Sequence, residues 1–447
     1  ILSVISLVSY VLTKVAVTVY AGGLVFQQVF GIKELWGIDF FWIAAIGLVV
    51  LTALYTIFGG MKSVLYTSVL QTPILLLGSL IILVLGFKEL GGWDEMMRVC
   101  GAVTVNDYGD TMTNLIRSND DANFPWLGAL IGSAIIGFWY WCTDQFIVQR
   151  VLSGKNEKEA RRGTIFGAYL KLLPVFLFLI PGMIAFALHQ KYIGAGGEGF
   201  LPMLANGTAN ADAAFPTLVA KLLPAGVKGL VVCGILAALM SSLASLFNSS
   251  AMLFTIDFYK RFRPETPEKK LVGIGQIATV VIVILGILWI PIMRSVGDVL
   301  YTYLQDVQSV LAPGIAAAFL LGICWKRTSA QGGMWGLIAG MIIGLTRLGA
   351  KVYYSNAGEV ADSTFKYLFY DMNWLFFCGW MFLFCIIVVI VVSLATEAPT
   401  AEKIQGLVFG TDTKEQKAAT RASWDHWDII HTVIILAITG AFYWYFW

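Results

Sequence analysis

Long apolar stretches recur along the chain and are separated by shorter polar connections. An α-helix needs about 20 mostly apolar residues to cross the hydrocarbon core of a bilayer. Stretches of roughly this length lie at 1–30, 40–60, 63–88, 126–150, 162–188, 226–257, 271–294, 298–324, 331–348, 374–396 and 427–447. The pattern therefore predicts an all-α polytopic membrane protein with about eleven transmembrane helices.

The polar connections predict the orientation of these helices, because Lys and Arg are enriched in short cytoplasmic loops. The connections 151–162 and 258–270 are dense in basic residues, whereas 31–39 and 295–297 contain only Lys33. The first helix is therefore predicted to begin in the cytoplasm, and 397–426 to be a cytoplasmic linker before the last helix. We expect a multi-pass protein of the plasma membrane. Because its cytoplasmic connections are short, we expect this to be the inner membrane of a bacterium.

Amino-acid composition agrees with a membrane protein and argues against a soluble domain. Hydrophobic residues make up 58% of the 447 residues and charged residues 13%, against about 25% charged in a soluble domain. A net charge of +2 gives no reason to expect a nucleic-acid partner. The sequence has no Ser-His-Asp, His-Glu-x-x-His or phosphate-loop pattern, so neither an enzyme nor an ATP-driven pump is expected.

Two lysines lie inside apolar runs. Lys171 is in the middle of 168–174, and Lys14 is one turn after Tyr10. A charged side chain in a spanning helix costs at least about 2.5 kcal/mol and persists where it faces a partly wet, protein-lined interior. We interpret Lys171 as a candidate substrate contact. For Lys14 we favour a structural role, paired with a carboxylate or a carbonyl in the bundle.

The stretch 137–145 ends its helix in an unusual way, with Gly137, four aromatic residues and then Thr-Asp-Gln. One interpretation is an aromatic belt at the membrane interface, where Trp and Tyr collect. The other is a helix broken near Gly137 whose aromatic faces and hydroxyls line a cavity. Such a lining suits a sugar, because its C–H groups pack on a ring while its hydroxyls form hydrogen bonds.

Small and polar residues mark two further helices. Ser241 and Ser242 lie in a run of small residues, which indicates either tight helix packing with hydroxyls bonded back to the preceding turn or oxygen ligands for sodium. Gln305 and Gln308 share a helix face, and the Pro313-Gly314 pair predicts a kink.

The same residues resemble those of a known family. The matching stretches are YTIFGGMKS at 55–63, WYWCTDQFIVQR at 139–150, YLKL at 169–172, PGM at 181–183, MSSLAS at 240–245 and YLQ at 303–305. Together they resemble the sodium/solute symporter family, and within it the sodium–glucose (galactose) cotransporter branch. The resemblance runs essentially from end to end of the chain.

This resemblance implies a LeuT-like inverted-repeat transporter fold, which has fourteen helices in the family. Residues 1–324 would form the transporter core, from the third to the tenth core helix, and 325–447 the C-terminal accessory helices. The chain is accordingly expected to be N-terminally truncated. The motif at 55–63 would form a turn at a Gly-Gly pair.

The resemblance also implies roles for particular residues. Sodium, the co-transported ion, would be bound by Ala238, Ser241 and Ser242. Lys171 and Gln305 would bond to sugar hydroxyls, with Tyr140 as the aromatic inner gate beneath the sugar and Trp141 beside it.

Two positions depart from the family pattern. Gly137 stands where sugar transporters usually have Asn or Thr. Ser68 replaces an aspartate that is linked to sodium passage or to a second sodium site. Because a serine brings no negative charge to offset the desolvation of a cation, we expect one sodium per sugar.

The sequence thus predicts a sodium-coupled symporter for a glucose- or galactose-like monosaccharide that works by alternating access. Its partners would be a sodium ion, a small sugar and the lipid bilayer. An alternative is a sodium symporter of the same family that carries another solute, such as inositol, sialic acid or an amino acid. A further alternative is a non-transporting sensor or a sodium-leak channel on this fold.

Overall fold

A computed structural model of the chain describes residues 1–204, 207–296, 300–357 and 361–446. Within its helices, the side chains of residues 55, 57–65, 67, 70, 293–296, 302 and 356 are not described. The ends of two predicted spans, 298–299 and 447, therefore lie outside the described residues, as do most side chains of the motif at 55–63.

The described part of the chain is mostly helical. The first part of the chain contains α1 Leu2–Ser9, α2 Ala16–Phe30, α3 Phe40–Leu90, α4 Trp93–Gly101, α5 Trp126–Phe138, α6 Gln145–Leu152, α7 Glu157–Pro174, α8 Ile180–Gly194 and α9 Ala214–Leu222. The second part contains α10 Ala225–Met252, α11 Lys260–Phe262, α12 Glu268–Val296, α13 Leu300–Cys324, α14 Ala330–Asn356, α15 Thr364–Lys366, α16 Trp374–Ala395, α17 Ala401–Ile404, α18 Lys414–Ala422 and α19 His426–Tyr445.

Several of these helices are joined by π-helical turns. The π segments are π1 Tyr10–Val15, π2 Trp139–Thr143, π3 Val175–Leu179, π4 Leu253–Tyr259 and π5 Tyr367–Asp371. The remaining elements are a 3₁₀ turn, Ala211–Ala213, and two short antiparallel strands, β1 Glu34–Leu35 and β2 Ile38–Asp39. π turns widen a helix locally and are frequent at functional sites. Segments π1 and π2 contain Lys14, Tyr140 and Trp141, three residues that the sequence pattern or the family resemblance singles out.

The helices have the lengths that a membrane requires. In the described part of the chain, ten helices are long and apolar enough to cross a bilayer, and Phe40–Leu54 is a shorter apolar helix. The predicted polytopic all-α class is confirmed. One detail differs, since the predicted spans 40–60 and 63–88 belong to the single helix α3. The backbone stays helical through positions 59 and 60, where no proline interrupts the hydrogen-bond ladder, and α3 packs along α10.

The segment π1 occupies the centre of the largest buried cluster. Tyr10 and Val15 are fully buried there beside Phe247 of α10 and Tyr303 of α13. The Tyr303 hydroxyl donates a hydrogen bond of 3.0 Å to the carbonyl of Leu12. The π turn therefore presents a main-chain acceptor to a neighbouring helix, which joins π1 to the helix that carries Gln305.

A polar contact outside the spans fixes the start of α13. Asp212, in the 3₁₀ turn before α9, accepts hydrogen bonds from the backbone N–H of Leu300 at 3.1 and 3.2 Å. Burial raises the pKa of this carboxyl above its ordinary value, and the Leu300 N–H opposes that effect. Asp212 thus supplies an acceptor to a helix N-terminus whose N–H groups lack intrahelical partners.

Candidate functional site

The helix that carries the aromatic stretch breaks at Asp144. Segment π2 follows α5 directly, and Asp144 then adopts an extended backbone with φ −77° and ψ 117°. Its side chain accepts a hydrogen bond of 3.2 Å from the N–H of Phe146 and so caps α6. A break in this helix is therefore present, at Asp144 rather than near Gly137.

Asp144 and Lys14 form a buried ion pair between α6 and π1. The exposed fractions are 4% for Asp144 and 7% for Lys14. Lys14 Nζ donates to Asp144 Oδ2, and the Tyr10 hydroxyl donates to Oδ1 at 2.8 Å. Each carboxylate oxygen thus has a partner, as a buried charge requires. The structural role predicted for Lys14, paired with a carboxylate, is confirmed.

Aromatic rings surround the ammonium of Lys14 and lead outward to Lys171. Lys14 Nζ lies 5.1 Å from the ring centroid of Tyr140. The Tyr140 and Trp141 rings meet edge to face with centroids 5.2 Å apart. On the far side, Lys171 Nζ lies 5.8 Å from the Trp141 centroid, within the range of a cation–π interaction. The structure therefore brings together three of the four predicted sugar contacts, Tyr140, Trp141 and Lys171.

These three side chains are open to their surroundings. Trp141 is 50% exposed, Tyr140 is half-buried and Lys171 is exposed. The sequence pattern predicts that Lys171 faces a partly wet, protein-lined interior. In the structure α7 packs against α19, α6 and the following segment π3, and among the described residues Lys171 is exposed. The aromatic pair and the ammonium consequently form an accessible surface.

The fourth predicted sugar contact, Gln305, lies on α13, which packs against π2. Gln305 is half-buried, and its Nε2 donates to the Tyr301 hydroxyl at 3.1 Å. Gln308, one turn further on, is 7% exposed. The structure therefore places Gln305 on a helix that packs against the segment with the aromatic pair, and no hydrogen bond between Gln305 and that pair is observed among the described side chains.

A second charge cluster, which the sequence pattern did not predict, adjoins Gln305. Asp306 Oδ2 lies 2.5 Å from Lys351 Nζ, and Oδ1 lies 3.6 Å from Arg347 Nη2. Arg347 is fully buried and donates to the carbonyls of Met372 at 2.7 Å and Leu368 at 3.3 Å. The available signal was an arginine in an apolar helix with a lysine four residues later. This cluster ties α13 to α14 and π5.

The predicted sodium ligands lie on α10 where it packs against α3. Ser241 is 6% exposed, and its Oγ lies 2.7 Å from Oγ of Ser68 on α3. Ala238 and Ser242 are half-buried on the same stretch of helix. The hydroxyl that was predicted to bind sodium thus meets the serine that replaces the family's aspartate.

Further along α10, serine hydroxyls bond back to the preceding turn. Ser245 Oγ donates to the carbonyl of Ser241 at 3.0 Å, and Ser249 Oγ donates to that of Ser245 at 2.8 Å. Gln149 Nε2 donates to Ser249 Oγ at 2.6 Å, and Arg150 donates to Ser245 Oγ. The helix-packing interpretation therefore describes Ser245 and Ser249, whereas Ser241 reaches across to another helix.

Comparison with known proteins identifies the family of the chain. A model of the sodium:solute symporter family matches residues 1–340. The chain is similar to the sodium/mannose cotransporter of Bos taurus, with 35% identity over 100% of this chain and 77% of that protein. It is also similar to sodium/myo-inositol cotransporter 2 of Homo sapiens, with 35% identity over 92% of this chain and 62% of that protein. Sodium/glucose cotransporter 1 of Ovis aries is 37% identical over 89% of this chain and 61% of that protein.

Among solved structures, the chain resembles a Na⁺-coupled sialic acid symporter in its substrate-bound outward-open state. The TM-score is 0.67 with 21% sequence identity, and the match covers 89% of this chain and 75% of that one. This similarity shows that the fold is LeuT-like. The chain spans 61% and 62% of two of the curated relatives named above. Because the family model covers most of its length, the chain belongs to the sodium:solute symporter family.

Proposed function

We propose that this protein is a sodium-coupled sugar symporter of the plasma membrane that works by alternating access. The observation that supports the sugar is the group formed by Tyr140, Trp141 and Lys171, with a 5.2 Å ring pair and an ammonium 5.8 Å from the Trp141 ring. The mannose and glucose cotransporters among its relatives support the same substrate class, a glucose- or galactose-like monosaccharide.

The chemistry of this group suits a sugar. A pyranose presents C–H groups on its faces, which pack on aromatic rings, and hydroxyls at its rim. The ammonium of Lys171 can donate three hydrogen bonds, and the carboxamide of Gln305 can both donate and accept. We assign Lys171 and Gln305 as partners of sugar hydroxyls, and Tyr140 with Trp141 as the aromatic inner gate.

The sodium ion is assigned to Ala238, Ser241 and Ser242 on α10. A hard cation takes several oxygen ligands, which here are the Ala238 carbonyl and two hydroxyls. Each sodium that moves inward through 100 mV releases about 2.3 kcal/mol, and the concentration gradient adds to it. Sodium binding then favours the outward-open state and raises sugar affinity through a coupling free energy.

We further propose that one sodium ion moves with each sugar. A second cation site would need an anion near Ser241, and the residue that contacts it there is the neutral Ser68. We do not assign Asp144 to a second cation, because Lys14 and Tyr10 already donate hydrogen bonds to its two carboxylate oxygens. The serine hydroxyls of α10 therefore serve a single site.

The division of the chain is part of the same proposal. Residues 1–324 form the transporter core, and 325–447 form accessory helices with a cytoplasmic linker at 397–426. The family match over residues 1–340 supports a boundary in this region. The membrane is the bacterial inner membrane, which the short basic connections favour.

A second candidate substrate is a polyol such as myo-inositol, which one relative is named for. The observation in its favour is Gly137, where a Cβ atom would meet nothing within 4 Å. This open position adds no side-chain contact that would select a particular ring. A cyclic polyol offers the same hydroxyls and C–H faces as a hexose, so the proposed contacts would accept either.

Tracer uptake into proteoliposomes tests the proposal. The purified protein should accumulate labelled galactose when an inward sodium gradient is imposed, and not when choline replaces sodium. Unlabelled glucose, mannose, myo-inositol, sialic acid and an amino acid then compete in turn. Competition by myo-inositol alone would make the polyol the substrate. A sodium current without solute-dependent uptake would instead indicate a leak channel.

A further inference from the structure

A cavity of about 460 Å³ lies apart from the residues assigned to sugar and sodium. It is enclosed by one side of α3, the end of α10 with π4, and the first half of α12. Two of its lining residues, Lys260 and Glu268, lie in the connection 258–270, which the density of basic residues predicts to be cytoplasmic. The volume is within the range of about 300–1,000 Å³ that small-molecule sites occupy.

Two carboxamides line this cavity with unused hydrogen-bonding capacity. Asn248 on α10 and Gln276 on α12 are both half-buried and both face the cavity. Within the described part of the chain, neither amide forms a hydrogen bond to another residue. Each carboxamide can donate two hydrogen bonds and accept more. The walls therefore offer polar groups to an occupant that carries hydroxyl, ester or phosphate oxygens.

Two opposite charges lie at the mouth of the cavity. Lys260 of α11 and Glu268, the first residue of α12, both line it and are both exposed. Among the described residues, neither forms a salt bridge with the other or with a third group. Other basic residues of the connection 258–270 do not line the cavity. Of the two charges that do line it, Lys260 would attract a purely anionic ligand and Glu268 would repel it, and a cation would meet the reverse. A zwitterion of suitable length would pair with both.

The outer rim of the cavity is apolar and faces the surface of the helix bundle. The lining residues Met252, Ile256 and Val272 are 48%, 46% and 62% exposed. Exposed apolar side chains on spanning helices are suited to contact with acyl chains, which are as apolar as they are. A ligand that fits both the charged pair and the apolar rim has a zwitterionic headgroup at the cytoplasmic end. Its hydrocarbon lies beside these three side chains.

We propose that this cavity binds the headgroup of phosphatidylethanolamine from the cytoplasmic leaflet. The phosphate pairs with Lys260, and the primary ammonium pairs with Glu268. The glycerol and ester oxygens reach Asn248 and Gln276, and the acyl chains run along Met252 and Val272. Basic pockets between membrane helices on the cytoplasmic side bind anionic lipid headgroups. The carboxylate of Glu268 adds a partner for an ammonium, which is why we assign the zwitterionic lipid here.

Lipid binding to the purified, delipidated full chain tests this assignment. Native mass spectrometry would count bound dioleoylphosphatidylethanolamine, dioleoylphosphatidylglycerol and glycerophosphoethanolamine, which is the headgroup without chains. We expect the first to bind most tightly. K260Q and E268Q should each weaken its binding about tenfold or more, the loss expected for one charge-assisted hydrogen bond. E268Q should also improve binding of the anionic lipid.

The matched control is K269Q, which removes a charge from the adjacent, exposed position that does not line the cavity. It should leave binding unchanged. Equal phosphatidylethanolamine binding in wild type, K260Q and E268Q would overturn the proposal, because the lipid would then bind elsewhere. Tighter binding of phosphatidylglycerol by the wild type would overturn the zwitterion. Equal affinity for glycerophosphoethanolamine would replace the lipid with a soluble ligand.

Discussion

The hydroxyls of Ser68 and Ser241 meet across the interface between α3 and α10, with their Oγ atoms 2.7 Å apart. The two residues are 173 positions apart in the chain, and the contact joins two features that the sequence analysis treated separately. One is the predicted sodium ligand, and the other is the serine in place of an aspartate. The contact is between two neutral hydroxyls, so a cation bound there would gain oxygen ligands without a compensating charge.

Ser242→Ala should weaken sodium binding more than sugar binding. Removal of one neutral hydroxyl ligand is expected to raise the sodium concentration for half-maximal uptake about two- to tenfold, which corresponds to roughly 0.5–1.5 kcal/mol. The sugar response at saturating sodium should change little. Ser250→Ala is the matched control, since its buried hydroxyl lies on the same helix and is not assigned to sodium. Unchanged sodium dependence with normal expression would remove Ser242 from the ligands.

Lys171→Ala should reduce sugar uptake severely in a protein that still folds and inserts. A charge-assisted hydrogen bond to a hydroxyl contributes about 1.5–3 kcal/mol, so the sugar concentration for half-maximal uptake should rise tenfold or more. Because Lys171 is exposed, its removal should cost little stability. Lys155→Ala, in the connection before α7, is the control. Wild-type uptake kinetics in Lys171→Ala would show that this lysine does not contact the sugar.

Lys14→Met should strongly destabilise the protein. It leaves the carboxylate of Asp144 buried without its cation, and loss of one partner from a buried pair costs about 3–5 kcal/mol. The double variant Lys14→Met/Asp144→Asn removes both charges and should recover most of that loss. Thermal unfolding in detergent, or expression level if the single variant fails to fold, measures the difference. A double variant no more stable than Lys14→Met would contradict the pairing.

Asp212→Asn should change how stability depends on pH. Burial raises the pKa of Asp212, so the folded state binds this proton more tightly than the unfolded state. The resulting stabilisation is present at low pH and is lost as the pH rises through the folded-state pKa. Asparagine still accepts from the Leu300 N–H and carries no charge.

The melting temperature of Asp212→Asn should therefore exceed that of the wild type at neutral pH. The two should converge below about pH 3.9, the ordinary pKa of an aspartate. Asp120→Asn, at an exposed loop position, is the control for the loss of one carboxylate. A difference between wild type and Asp212→Asn that does not vary with pH, or that grows in acid, would show that burial does not disfavour this carboxylate.

The sequence predicts the class of this fold well because hydrophobic length reports directly on membrane crossing. It also singles out Lys14 and Lys171, because a charge in an apolar helix is conspicuous. The partner of Lys14 is harder to predict. Asp144 faces Lys14 because the π2 turn and the extended backbone of Asp144 itself change the direction of the chain. Hydropathy carries no information about such turns.

Two features were beyond a reading of the sequence. The contact between Ser68 and Ser241 depends on the register of α3 against α10, which small residues on both helices leave open. The cluster of Asp306, Arg347 and Lys351 depends on how α14 packs against α13. The resemblance to the family implied a turn at Gly59-Gly60, and the helix instead continues, because glycine lowers helix propensity by about 1 kcal/mol without blocking a hydrogen bond.

The number of sodium ions that move with each sugar is the most direct test of the proposed single sodium site. Reversal potentials, or paired sodium and sugar tracer fluxes, can be measured in proteoliposomes that contain the purified protein. We predict one sodium ion per sugar, because Ser68 is neutral and Asp144 is bound by Lys14. A ratio of two would contradict the single site and would require an anion from elsewhere in the structure. Sugar flux that does not depend on sodium would contradict the symport mechanism itself.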